Sequence, residues 1–299
     1  MKLTLGVAFA VFAAGLRTVL AATLVLNYDA SDPASWEGGV LKDTVGRGQP
    51  LVAAGGKEDA EHGAPVYVAE GAGPANRAYF DFQKFGMLTG SDAQGGILNS
   101  SEAAKPAAGY TMEIYVRIPT DARVKGNAGI GAHNSTGYQN QFINLQKVDE
   151  EGDVELISST SLWDGTGPDM QLPEDERGRE LEKHYFAQEN KLEDLIPRDE
   201  WVHVVKVHDP ETNGGQIRWY VNGQLVGTFD FSEGAAGDRY PDRGDGFGDV
   251  GEPSRPWDPG DRTIMGLGFS LFRLYQGVLS EPEIAARFEE VTKASVPKQ

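Results

Sequence analysis

Hydrophobic and polar positions alternate in short bursts along most of this chain. Thr23–Asn27 (TLVLN) is a β-rich run that ends in the turn cluster YDASDP. Similar runs recur at Pro65–Ala69, Ala78–Phe82, Tyr110–Ile118, Gln141–Val148, Val154–Ser158, Trp201–His208, Gln216–Val221, Gln224–Phe231 and Gly266–Tyr275. Gly, Pro, Asn and Asp clusters separate them. Alternation with period two puts every second side chain on one face of a strand. Many short strands with turn punctuation predict an all-β sandwich or jelly roll. The sharpest local signal is Trp219–Val226 (WYVNGQLV). Asn222-Gly223 supplies the two positive-φ positions of a type I′ turn, and the β-branched and aromatic flanks complete a hairpin.

Two segments break the pattern. Leu172–Glu200 is charged and rich in helix formers, and predicts a helical insertion between strands. Gly234–Arg262 is rich in Gly, Asp and Pro, has no apolar period, and predicts a long loop of the kind that carries function. Near the C-terminus, Ser280-Glu-Pro-Glu283 opens a short helix that runs to about Val291. Ser280 fits the N-cap, Pro282 the first turn and Glu283 the capping-box position. No internal repeat or linker is visible, so residues 22–299 read as one domain.

The first 21 residues follow different rules. Lys2 precedes an apolar run, and Val19-Leu20-Ala21 is a small-residue cleavage site, so residues 1–21 read as a signal peptide. The run Leu3–Leu16 is too short to span a bilayer comfortably. The expectation is a secreted protein, extracellular or periplasmic; a retained N-terminal helix or anchor is the alternative. No later segment is apolar enough to span a membrane, so no membrane insertion is expected.

Composition narrows the chemistry. The 299 residues contain no cysteine, which excludes thiol catalysis, cysteine-based zinc sites and an N-terminal lipidated cysteine. Five histidines make a histidine-rich metal site a poor expectation. Formal net charge is −18, and without Lys2 and Arg17 it is −20. Such a surface repels phosphate backbones, so no nucleic-acid partner is expected. It suits neutral or cationic ligands and divalent cations.

Three segments, in order, resemble the laminin-G-like, concanavalin A-like lectin/glucanase superfamily. Tyr110-Thr-Met-Glu-Ile-Tyr-Val-Arg117 is similar to the family strand F-T-x-E-x-W-V. Trp201-Val-His-Val-Val205, followed by Ile217–Val226, is similar to W-x-H-V-A and L-x-x-Y-V-N-G-x-L-V. Phe272–Ile284 is similar to V-R-I-Y-x-x-x-L-S-x-x-E-I, and Thr23–Asp32 fits the opening strand. The resemblance runs from about residue 23 to 291. It implies a two-sheet antiparallel β-sandwich, a concanavalin A-like jelly roll, here with a short helical insertion and a C-terminal helix. It does not fix function, because lectins, adhesion modules, glycosidases and polysaccharide lyases share this sandwich. Glu113, Trp201, His203, Tyr220 and Arg273 fall in motif positions expected to serve packing and hydrogen bonding.

The resemblance also implies one structural calcium, held by an early Asp and an Asp on the last strand. Asp29 and Asp32 are the early candidates, but the last-strand position is Ser270. The acidic loop, with Asp242 and Asp245, is an independent calcium candidate because calcium favours carboxylates on flexible loops. The glucanase signature Glu-x-Asp-x-Glu has a formal match in Glu151-Gly-Asp153-Val-Glu155, but its surroundings read as a solvated hairpin turn.

Two chemistries remain for the polar segment Gly131–Phe142 and its neighbours. A lyase would use His133 and Tyr138 for proton transfer and Arg117 to neutralise a uronate. A binding module would use Asn134, Tyr138, Gln139, Gln141 and Asn144 for hydroxyl pairs, with Trp163 and Trp257 as stacking faces. The preferred expectation is a carbohydrate-binding, lectin-like or extracellular ligand-binding module, its partner a glycan or an extracellular protein. The alternatives are a polysaccharide lyase or glycoside hydrolase on the same fold, or an adhesive, assembling structural protein. Oligomeric state stays open.

Overall fold

The computed structural model describes residues 22–48, 50–69, 76–90, 109–125, 128–132, 141–150, 153–163, 185–209, 212, 216–230, 247–250 and 263–293. Eight strands form one antiparallel sheet. They are β1 (Thr23–Asp29), β5 (Val66–Val68), β6 (Tyr79–Asp81), β8 (Tyr110–Arg117), β14 (Trp201–Asp209), β15 (Gln216–Val221), β16 (Gln224–Asp230) and β19 (Gly268–Gln276). Nine form the second: β2 (Trp36–Glu37), β3 (Val40–Leu41), β4 (Leu51–Ala54), β7 (Met87–Gly90), β10 (Ala128–Ala132), β11 (Gln141–Lys147), β12 (Val154–Trp163), β13 (Tyr185–Lys191) and β17 (Phe247–Val250). A small pair, β9 (Arg123–Lys125) with β18 (Thr263–Met265), stands apart.

In the first sheet the order is β16-β15-β14-β8-β19-β6-β5. One edge of β19 is divided: its start pairs with β6 and the rest with β1. The second sheet runs β13-β12-β11-β10-β17-β7-β4-β3-β2. The two-sheet sandwich is therefore as the alternating runs predict. The Asn222-Gly223 turn is also as predicted, with φ of 50° and 77° at its two central residues. Asn222 ties the turn to β14 twice, since its backbone N–H donates to His203 O (2.8 Å) and its Oδ1 accepts from His203 N (3.0 Å).

Two expectations are corrected. The segment that predicts a helical insertion contains β13, a strand paired with β12 from Ile157↔Lys191 to Trp163↔Tyr185. Seven consecutive cross-strand pairs outweigh the helix propensity of Ala, Gln and Glu. The rest of the predicted insertion before Tyr185 lies outside the described residues. The segment that predicts only loop contains β17, seated between β10 and β7. A four-residue strand held by its neighbours needs no periodic signal of its own.

Strand β8 shows how the sandwich is filled. Met112, Ile114 and Val116 point between the sheets, against Phe269, Phe272 and Leu274 of β19 and Val202 and Val204 of β14. Leu41, Leu51, Leu88, Ile130, Ile143, Leu145 and Leu156 meet them from the second sheet. Fully burying side chains of this size contributes about 1.5–3 kcal/mol each. Lys206 and His208 of β14 share this inner register and are wholly buried. The Lys206 ammonium lies 5.6 Å from the Trp219 ring centroid. Burial lowers the Lys206 amine to about 7. Burial, with the nearby Lys206 charge, lowers His208 to about 3.

The outer face of the first sheet is covered by α1 (Glu281–Thr292), the one helix among the described residues. Glu283 reaches back to the Ser280 backbone N–H (2.8 Å) and hydroxyl (2.6 Å), as the helix-start pattern predicts. Ile284 buries against Val205, Val207, Tyr220 and Tyr275. Val291 buries against Tyr115 and Leu271, with Trp201 alongside.

Beneath the helix, Glu113 is fully buried and fully engaged. Tyr275 donates to its Oε2 (2.7 Å), while His203 Nε2 (3.1 Å) and Arg273 Nη1 (3.4 Å) meet its Oε1. Burial alone would raise the Glu113 carboxyl; the His203 hydrogen bond and the Arg273 charge outweigh it and hold it below the usual range. Arg273 also donates to Asn27 Oδ1 (2.9 Å) and Glu290 (2.9 Å), tying β1, β8, β14, β19 and α1 together. The motif residues Glu113, His203, Tyr220 and Arg273 thus do structural work. No helix among the described residues is long and apolar enough to cross a membrane.

Candidate functional site

Alternation along β8 sends Glu113, Tyr115 and Arg117 to the face opposite the core. Glu113 and Tyr115 are covered, but Arg117 ends the strand and reaches the rim. Its ladder row reads Trp201–Arg117–Gly268–Asp81 across β14, β8, β19 and β6. Beyond this row four turns meet around an open cleft of about 460 Å3. Arg117, Asp81, Gln83, Asp121 and Asp199 supply its polar lining, with Phe82, Pro119, Met265 and Gly266 between them.

The cleft is held by its own turns. Asp199 has φ of 65°, and its carboxylate accepts from Thr120 N (2.9 Å), clamping the β13–β14 connection to the β8–β9 turn. The Asp199 backbone N–H donates to Ile118 O (3.1 Å). Gln83 donates to Asp81 (3.1 Å). Arg117 is different: its Nε is shielded from solvent and has no hydrogen-bond partner among the described residues. A guanidinium offers five N–H donors in a fixed fork. Here that fork stands among three carboxylates and an amide, which together can donate to and accept from neighbouring hydroxyls. One guanidinium against three carboxylates leaves the cleft negative, which opposes a uronate substrate.

Trp201 borders the same row. Its ring packs against Tyr79 (centroids 5.1 Å apart, 71° between planes) and Tyr115 (5.4 Å, 34°). The indole occupies the space above Gly268, where a Cβ would lie 2.8 Å from Trp201 Cζ2. It stays partly exposed, unlike the buried Trp219.

Among the described residues that the sequence singles out, Arg117 alone lines this cleft. Gln141 pairs with Gly131, and Asn144 with Gly129 and Ile157, so both occupy strand positions in the second sheet. Trp163 closes β12 opposite Tyr185. His133, Asn134, Tyr138, Gln139, Trp257, Asp242 and Asp245 lie outside the described residues. Glu151 and Gly152 lie outside the described residues; on either side of them Val148 N donates to Asp153 O (2.9 Å), and Asp153 N to Asp149 (2.9 Å). Glu155 continues into β12 and pairs with Lys191 (3.0 Å). Asp81, Gln83, Asp121 and Asp199 escape a sequence reading because they come from turns far apart in the chain.

Asp29 and Asp32 do not converge. Asp32 caps its own turn, accepting from Ala34 N (2.9 Å). Asp29 is buried and meets the Arg77 guanidinium at 2.5 Å. A guanidinium in that place opposes a dication, so the calcium expected at this corner does not fit the residues present. Among the described residues no three acidic or histidine side chains group as metal ligands.

A family profile described as the concanavalin A-like lectin/glucanases superfamily matches residues 91–285. The chain belongs to that superfamily. Among solved structures it is similar to the binding domain of Paraclostridial Mosquitocidal Protein 1, at 10% identity and a TM-score of 0.50, over 90% of this chain and 52% of that one. It is also similar to the botulinum neurotoxin type G receptor binding domain, at 11% identity and 0.47, over 90% and 51%. A third is domain 4 of AbnA, a GH43 extracellular arabinanase from Geobacillus stearothermophilus, solved with arabinotriose, at 15% identity and 0.46, over 89% and 98%. The chain spans about half the length of the toxin binding domains and nearly all of the arabinanase domain. At 10% identity the likeness to the mosquitocidal protein's binding domain shows the fold alone. Among curated proteins none matches the chain.

Proposed function

We propose that this superfamily member is a secreted carbohydrate-binding module that holds a neutral or cationic glycan at the Arg117 cleft. The observation that carries the reading is the open cleft that Arg117 lines together with Asp81, Gln83, Asp121 and Asp199, in the ladder row that Trp201 shares. Sugar recognition needs planar donors and acceptors for hydroxyl pairs and an aromatic face for C–H stacking. The cleft supplies the first, and Trp201 stands in the same ladder row as Arg117. The negative balance of cleft and chain favours neutral polymers or amino sugars over uronates. Binding domains among the similar structures accord with this reading.

The test is retention on a panel of neutral, cationic and polyanionic polysaccharides, scored also for new reducing ends and unsaturated products. The expected outcome is retention on a neutral or amino-sugar polymer without product. R117A and D121N should each weaken it about tenfold while the melting temperature holds. Equal retention by wild type and R117A would place the site elsewhere. Product formation would replace the binding reading with an enzymatic one. Secretion is checked separately, by intact mass of protein recovered outside the cell, which should begin at Ala22.

A further inference from the structure

We infer that Arg77 is a built-in cation that holds the corner of the sandwich where the superfamily resemblance calls for calcium, so that this corner is indifferent to divalent metal. Three chain segments meet there: the end of β1, the residue pair before β6, and the bulge of β19. The ladder between β19 and β8 shifts between Phe269 and Leu271, leaving Ser270 as the extra residue. Ser270 is fully buried, while Asp29 and Arg77 are 8% and 7% exposed.

Arg77 ties the three together. Its Nη2 donates to Asp29 Oδ1 (2.5 Å) and its Nε to Ser270 Oγ (3.3 Å). The Ser270 hydroxyl donates onward to Ala78 O (2.8 Å), and Ala30 N donates to Ser270 O (2.9 Å). Ser31 completes the ring, its N–H donating to Asp29 Oδ1 (2.9 Å) and its hydroxyl accepting from Ala78 N (2.8 Å). A second guanidinium, Arg273, stands 3.9 Å from Asp29 Oδ2.

Calcium takes six to eight oxygen ligands at about 2.3–2.6 Å. Here one carboxylate faces two guanidinium groups, and the hydroxyl at the last-strand position is already engaged. A dication would have to displace Arg77 and sit against its charge. The same duty, neutralising the buried Asp29 and cross-linking first and last strands, is met by a charge that cannot dissociate.

The experiment melts wild type, D29N, R77M and D29N/R77M in chelator and in 5 mM calcium. R77M and D29N should each lower the melting temperature by roughly 10 °C, and the double variant should lose clearly less than the sum, because the two residues act as a pair. R77K, which keeps the charge but loses the fork, should fall between wild type and R77M; it serves as the probe if R77M does not fold. Calcium should leave any D29N-dependent part of stability unchanged. Additive losses in the cycle would overturn the inference, as would a calcium-induced rise in the wild type that D29N abolishes. A calcium-induced rise that D29N preserves belongs to another site and supports the indifference of this corner. None of these variants touches the Arg117 cleft, so failure here leaves the glycan reading to its own test.

Discussion

Gly268 makes room for Trp201: a Cβ on Gly268 would lie 2.8 Å from Trp201 Cζ2 and 3.0 Å from Cη2. The indole is not free to move at will, because the Tyr79 and Tyr115 rings pack against it. G268A should therefore tilt Trp201 and disturb the row that ends at Arg117. The expected readouts are a shifted tryptophan emission, a stability loss of about 1–3 kcal/mol from overpacking, and weaker glycan retention. Unchanged emission would show that the ring has another resting place and that the row is not set by this glycine.

Glu113 offers a test of the buried knot under α1. Removing its charge takes from His203 its carboxylate partner and from Arg273 its fully buried one, leaving Arg273 with Glu290. E113Q should cost about 3–5 kcal/mol by chemical denaturation near neutral pH, the scale for breaking a buried pair. The pH dependence has a fixed sign. The folded carboxyl is held below its ordinary range, so its contribution is present above the unfolded value near 4.3 and is lost as pH falls through the lower folded value. The gap between wild type and E113Q should narrow below about pH 4. Y275F, which removes one donor, should cost about 1–2 kcal/mol.

These two sites differ in how visible they are from sequence. The strands that carry Glu113, Trp201 and Gly268 announce themselves by alternation, because each has one face in the core. The turn at Asn222-Gly223 and the helix start at Ser280 are legible because each depends on a local chemical requirement. Strand β13 is not, since its residues favour a helix and only the ladder with β12 makes them extended. The cleft is least legible. Arg117 is visible as the polar end of an apolar strand, but Asp81, Asp121 and Asp199 meet it only through ladder register between distant segments. Arg77 is hidden for the same reason: no spacing in the sequence brings it to Asp29.

The hairpin tip provides a controlled comparison. Gly223 has φ of 77°, and a Cβ there would press on Phe288 Cβ at 3.2 Å. Gly38 has a similar φ of 63° with nothing within 4 Å. Both substitutions by Ala incur the left-handed penalty of about 1 kcal/mol. Only G223A should add a packing loss against α1, for a total of about 2 kcal/mol. Equal shifts in denaturation midpoint would mean that Phe288 yields freely, and that the hairpin does not brace the helix.

Lys206 yields the last prediction, a pH slope of the same sign as that of Glu113 but in the alkaline range. Burial lowers its amine to about 7 from an ordinary value near 10.4. Between those values the unfolded chain holds the proton that the folded chain has released. That linkage makes stability rise with pH across the window, and it is flat below about pH 7 where both states are charged. K206M keeps the length of the side chain and its place beside Trp219 but has nothing to titrate. The variant should be more stable than wild type at pH 7, by about 2–4 kcal/mol, and its advantage should vanish by about pH 10. The measurement is the melting temperature of both proteins from pH 6 to pH 10. The wild type should gain on the variant by roughly 5 °C or more across the upper part of that range. A constant difference at every pH would mean that the amine stays charged inside the sandwich.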